Sequence, residues 1–162
     1  MGNGNDGAAK PAFSRGRIIT PGTEHQLGRY GLFPPSPAQQ RAIRTSTLKL
    51  TAKSAEPELL WITFAELCGS QVPAADYEDL AGRYGTWVID GVPAPAADPS
   101  PQKSPAWHRF STVVDILYAR DVTLFLLGTG LSMDLAHIAS RLSLLELVES
   151  ADVPVVDPAA GS

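Results

Sequence analysis

The sequence predicts an α/β fold, a partial parallel sheet with covering helices that is preceded by a short strand pair. Three observations predict it. Strand-like and helix-like runs alternate between residues 86 and 149, the pattern of parallel strands joined by right-handed crossovers. Two shorter apolar runs precede them: Ser46–Thr51, with alternating Leu48 and Leu50, and Leu59–Thr63, with Leu60 and Ile62. The chain has 162 residues, 44% hydrophobic and 19% charged, enough for one domain with its own core.

Taken in order, residues 1–14 are Gly/Asn/Ala-rich and read as a disordered tail. The α/β region is expected over 15–150, with turns at Pro21-Gly22 and Pro34-Pro35. A helix should start near Pro73 and run to about Tyr84, since Tyr77, Leu80, Ala81 and Tyr84 share one face. Thr86–Asp90 is a β-branched and aromatic strand. Residues 91–106 hold five prolines and read as a solvent-exposed loop. A second helix is expected over Ala106–Arg120, with Trp107, Phe110, Val113, Val114, Leu117 and Tyr118 at helical spacing, then a strand at Val122–Leu127. A last helix is expected over Ser132–Glu149, with Leu135, Ile138, Leu142 and Leu145 on one face, and 151–162 read as a second tail. Two or three parallel strands make a thin layer, so the sheet should be completed by residues 13–63 or by a partner.

Charge is unevenly spread. Residues 1–53 carry eight Lys/Arg and two Asp/Glu, whereas 54–162 carry five and fifteen, for a net charge of −4. The basic residues are scattered among few aromatics, which argues against a nucleic-acid footprint. Cys68 is the one cysteine, so no intrachain disulfide forms. The longest apolar stretch, Val122–Leu131, is interrupted by Gly-Thr-Gly and falls short of the roughly 20 residues of a membrane helix. A cytoplasmic protein without stable membrane insertion is expected.

The chemistry-bearing residues are sparse. Asp90 ends an apolar strand, as a Mg²⁺-holding aspartate does, but G-x-x-x-x-G-K-[ST] does not occur in the chain. Asp90 therefore reads as a turn former before Gly91. The stretch Gly128–Ser132, GTGLS, lies between a strand and a helical run but lacks the lysine and the third glycine, and reads as a glycine-rich turn. Cys68 has no histidine near it in sequence and reads as a small buried residue. One cysteine with His25, His108 and His137 makes no tetrahedral zinc site. Asp134, His137 and Arg141 would share one face of the last helix, solvated by default or able to contact an anion; Arg109 has the same ambiguity.

Several strings in combination resemble the C-terminal half of ZapE-type ATPases, AAA+ P-loop proteins of bacterial cell division with mitochondrial relatives. They are F-x-E-L-C at Phe64–Cys68, the Asp76-Tyr77 pair, the strand reaching Val92-Pro93, R-F at Arg109-Phe110, V-D-x-L-Y at Val114–Tyr118 and S-R-L at Ser140–Leu142. The likeness covers residues 45–147 well and 15–44 faintly. It implies an incomplete P-loop NTPase-like layer, from a family that binds and hydrolyses ATP with Mg²⁺. A complete member carries its phosphate loop and metal-binding strand in an N-terminal half, and Asp90 lies on a later strand. His108 and His137 stand where the family commonly has arginines, while Arg109 and Arg141 remain as matched cations. By resemblance, these two would touch nucleotide only with a partner that supplies the phosphate loop. The expectation is a truncated or split ATPase-family chain, inactive alone, meeting an N-terminal ATPase half, another AAA+ subunit or cell-division proteins. The alternative is a non-enzymatic interaction module or a relic.

Overall fold

The computed structural model describes residues 11–150. Among these residues eight strands and four α-helices follow one another. They are β1 (Arg17–Thr20), α1 (Glu24–Gly28), β2 (Arg41–Arg44), β3 (Lys49–Ala52), β4 (Ser54–Ala55), β5 (Leu59–Thr63), α2 (Phe64–Cys68), α3 (Ala74–Arg83), β6 (Thr86–Asp90), α4 (Pro105–Ala119), β7 (Thr123–Leu127) and β8 (Glu146–Glu149). The main sheet has six strands in the order β4-β5-β6-β7-β1-β8. All pairs are parallel except β4 on β5. β2 and β3 form a separate antiparallel hairpin.

This order explains which connection covers which face. From β5 to β6 to β7 the chain steps one strand at a time in one direction, then passes β1 to reach β8. From β1 to β5 it travels the other way. Right-handed crossovers put opposite directions on opposite faces. Accordingly, Leu60, Ile62, Trp87, Ile89, Leu124 and Leu126 pack with side chains of α2, α3 and α4. On the other face, Ile19, Trp61, Val88 and Phe125 meet Leu27 of α1 and Leu32 just beyond it.

Residues 13–63 therefore complete the sheet, as one of the two sequence alternatives had it. β1 was not foreseen. It contributes only Ile18 and Ile19 as fully buried apolar residues, yet it lies between β7 and β8. The strand foreseen at Ser46–Thr51 is β3, shifted to Lys49–Ala52, because residues 45–48 make the hairpin turn, closed by Thr45 N–H to the Leu48 carbonyl at 2.8 Å. Phe13 belongs to the core, not to a tail, and its ring meets Tyr118 edge-on at 5.6 Å. Residues 1–10 of the tail assigned to 1–14, and the tail at 151–162, lie outside the described residues.

The last helix is a correction. Residues 133–149 form two 3₁₀ segments, Met133–His137 and Ser140–Leu144, and then β8. Ala139 is extended (φ −134°, ψ 99°) and breaks the run. Spacings near three suit a 3₁₀ turn as well as an α-helix, so Leu135, Leu142 and Leu145 are buried as expected in a different element. The helix at 105–119 is tied at its start by Ser104 Oγ, which accepts from Trp107 N–H, with Pro105 in the first turn.

Candidate functional site

In open α/β sheets ligands bind beyond the carboxyl ends of the strands, where neighbouring strands exit in opposite directions. Here that point lies between β1 and β7. Pro21-Gly22-Thr23 follows β1, and Gly128–Ser132 follows β7. The glycine-rich stretch is a pinned turn. Leu131 N–H donates to Thr20 Oγ1 at 3.2 Å, and Gly130 has φ +72°. Any side chain at Gly128 would meet the Val92 carbonyl, since a Cβ there would stand 2.2 Å from its oxygen.

The turn after β1 is closed by Gln26. Thr23 caps α1: its Oγ1 accepts from Gln26 N–H at 3.1 Å. The Gln26 carboxamide oxygen accepts from both Gly22 N–H and Thr23 N–H, each at 2.9 Å. Its Nε2 donates to the Thr20 carbonyl at 3.0 Å and the Val148 carbonyl at 3.5 Å. Gln26 is only 4% exposed. A phosphate at this point would need those two N–H groups and a cation. Both N–H groups are taken by a neutral oxygen and residues 20–28 hold no lysine. These residues do not fit a nucleotide phosphate. Sequence reasoning missed Gln26, although Thr23-x-x-Gln26 after Pro-Gly has capping-box spacing.

Asp90 ends β6 opposite Thr63 of β5. Its Oδ2 accepts from Lys53 Nζ at 2.5 Å and from Trp61 Nε1 at 3.2 Å. Gly91 follows with φ +68°, as a turn requires. A lone carboxylate already paired with an ammonium does not fit Mg²⁺, which wants further oxygens around it. Among the described residues no group of three or more His, Cys, Asp or Glu could hold a metal ion. Beside this pair opens a cleft of about 640 Å³, lined by Lys53, Thr51, Thr63, Glu66, Pro35 and Pro37 among others.

The strings that carried the resemblance meet one another. Phe64 packs on Trp107 and Phe110 with ring centroids 4.9 and 5.6 Å apart. Arg109 Nε donates to the Cys68 carbonyl at 2.8 Å, and Tyr77 Oη donates to the Leu67 carbonyl at 2.8 Å. These two contacts receive carbonyls at the end of α2 that its own backbone cannot pair. Cys68 is buried, as expected, and burial pushes its thiol up to about 12 against the opposing effect of Arg109, so it stays protonated and inert at neutral pH. Burial also raises the Tyr77 hydroxyl.

Asp76 is fully buried and holds the β2–β3 turn onto α3. Its Oδ2 accepts from the hydroxyls of Thr45 and Thr47, each at 2.7 Å. The Thr47 hydroxyl does most to hold this carboxyl below its usual range against burial, helped by the Thr45 hydroxyl and the Thr47 main chain. A depressed carboxylate supports the fold fully above its unfolded pKa of about 3.9, and that support fades as pH falls through the lower folded value. Urea midpoints measured from pH 7 downward should show Asp76→Asn less stable at pH 7 and losing less below about pH 4 than the parent chain. Parallel acid limbs would remove Asp76 from this role.

Arg109 and Arg141 are not brought together. Arg109 sits near the start of α4, half-buried. Arg141 lies exposed over the Tyr118 ring at 4.3 Å, near the helix's other end, roughly 13 Å away along an axis rising 1.5 Å per residue. Asp134 and His137 fall on the first 3₁₀ segment and Arg141 on the second, so the shared helical face does not form. His108 Nε2 donates to the Gln102 carbonyl at 2.5 Å. No helix of the described residues is long and apolar enough to cross a membrane.

An open sheet of five parallel strands, with its switch point between the first and fourth of them, defines a doubly wound α/β protein, and the turn at that switch point is closed by the Gln26 side chain. The AFG1-like ATPase family model matches residues 23–143, and the chain belongs to that family. The chain is also similar to the uncharacterized protein C115.02c of Schizosaccharomyces pombe, 34% identical over 82 residues. That match covers 51% of this chain and 17% of the relative, so the chain spans a small part of that protein's length. No solved structure matches.

Proposed function

We propose that these residues form a non-hydrolysing α/β module of an AFG1-like ATPase, similar to the C-terminal half of a ZapE-type member and serving the same cell-division role. ATP binding and hydrolysis with Mg²⁺ then need a phosphate loop supplied from outside these residues. The observation that carries this reading is Gln26, whose side chain takes both N–H groups of the turn after β1. Phosphoryl transfer depends on a phosphate loop, Mg²⁺ and a positioned nucleophile, and the turn and Asp90 offer none of these. Within an assembly, exposed Arg141 is the better placed of the two matched cations to meet an anion from another subunit. Arg109 is committed at least in part to the end of α2.

Titrating a fluorescent ATP analogue with Mg²⁺ into the purified chain tests this. No saturable binding is expected up to about 1 mM, that is, less than about 4 kcal/mol of affinity. Saturable binding that is lost in Arg109→Ala or Arg141→Ala would overturn the reading and put a nucleotide site in this chain. The interaction-module alternative gains from a separate observation, an unneutralised basic hairpin.

A further inference from the structure

The β2–β3 hairpin carries a cationic face that the chain itself does not neutralise. In its register Ile43 faces Leu50, Arg44 faces Lys49, and Ala42 faces Thr51. Ile43 and Leu50 are buried, so alternation turns Ala42, Arg44, Lys49 and Thr51 outward, and all four are exposed. Like charges directly opposite each other on a strand pair are destabilising. Arg44 and Lys49 are such a pair, and neither has a carboxylate within ion-pair distance among the described residues. The backbone beneath them is held firmly. Arg83 donates from Nη2 to the Arg44 carbonyl, and Asp76 grips the turn through Thr45 and Thr47. Nothing there needs Arg44 or Lys49 to be charged.

The face continues along β3. Lys49, Thr51 and Lys53 alternate on one side, a stripe of roughly 13 Å at about 3.3 Å per residue. It runs from the hairpin tip to the cleft of about 640 Å³, whose wall includes Thr51 and Lys53. Lys53 is held at the rim by Asp90. The surface is therefore a fixed, small-residue strip with Arg44 and Lys49 unpaired at its tip, and with the Lys53–Asp90 pair and Glu66, which accepts from Thr51 N–H at 2.9 Å, at the cleft.

We propose that this face binds a short acidic peptide segment of a partner protein. The choice of partner follows from range. A long polyanion such as nucleic acid would experience the whole chain, whose residues 54–162 hold fifteen acidic and five basic side chains. A short segment at the hairpin tip lies within about one Debye length, roughly 10 Å at 0.1 M salt, of the exposed Arg44 and Lys49, whereas the Asp76 carboxylate beneath Thr45 and Thr47 is buried. Ala42 and Thr51 are the small residues between the cations, and the outward face holds no aromatic on which a base would stack.

Fluorescence anisotropy with a labelled ten-residue Glu/Asp-rich peptide tests the proposal on the full chain, with a labelled oligonucleotide of similar length beside it. Binding of the peptide should weaken steeply between about 50 and 500 mM salt. It should also weaken about tenfold or more in Arg44→Glu/Lys49→Glu and by a smaller factor in Arg44→Gln/Lys49→Gln. Circular dichroism should find both variants folded. Peptide binding unchanged in folded variants, absence of peptide binding at about 50 mM salt, or tighter binding of the oligonucleotide would overturn it. So would concentration-dependent self-association lost in the same variants, which would make a second copy the occupant. The outcome is independent of nucleotide binding, so it and the preceding proposal fail separately.

Discussion

Phe110→Ala should lower the free energy of unfolding by about 3–5 kcal/mol, the usual cost of emptying a buried aromatic site. Phe110 is 0% exposed and completes a three-ring cluster. It lies 5.6 Å from Phe64 and 5.3 Å from Trp107, nearly perpendicular to the latter. Edge-to-face rings add to the area they bury. The cluster also locks α2 to α4, and with it Arg109 to the Cys68 carbonyl and Tyr77 to the Leu67 carbonyl. Collapse of the site is limited because carbonyls on α2 depend on those contacts. A domain with about 5–15 kcal/mol in all would lose a large share. Urea unfolding followed by tryptophan fluorescence reads the change, and a loss under about 1 kcal/mol would show that the cluster is not the joint between these helices.

Gln26→Ala should cost about 2–3 kcal/mol, although it removes only a neutral side chain near the sheet edge. It strips the partner from Gly22 N–H and Thr23 N–H at once and takes one of two donors from the Thr20 carbonyl, which keeps Ser150 N–H at 3.1 Å. Unpaired buried groups each cost about 1–3 kcal/mol, and water entering the vacated space offsets part of that. Thr23 Oγ1 still caps α1, so the helix survives while the turn loosens. Chemical unfolding measures the loss. A change under about 0.5 kcal/mol, the range of an ordinary surface substitution, would mean that Gln26 does not hold the turn shut.

Much of the fold was legible because its elements carry their own periodicity. α3, β6, α4 and β7 stand within a residue or two of where apolar spacing and the flanking prolines put them. β1 was not legible. Four residues between Gly16 and Pro21 have no period to read, and Ile18 and Ile19 acquire meaning only when β7 and β8 arrive from distant sequence. The stretch after Ser132 misled because its leucine spacing satisfies two helix types, and only the extended Ala139 separates them. At the site, the missing phosphate-loop pattern could be read directly. The closure by Gln26 needed the knowledge that Thr20 and Val148 lie together, and Asp90 showed its partner only once β5 and β6 were paired.

Amide-resolved NMR during addition of Mg²⁺-ATP to the full chain reads residue by residue whether the switch point is closed. With the switch point closed, the amide signals of Gly22, Thr23 and Gly128–Leu131 should stay in place up to about 1 mM nucleotide. Saturating shifts at Gly22 and Thr23 would contradict it, because they would mean that Gln26 yields those two N–H groups to phosphate.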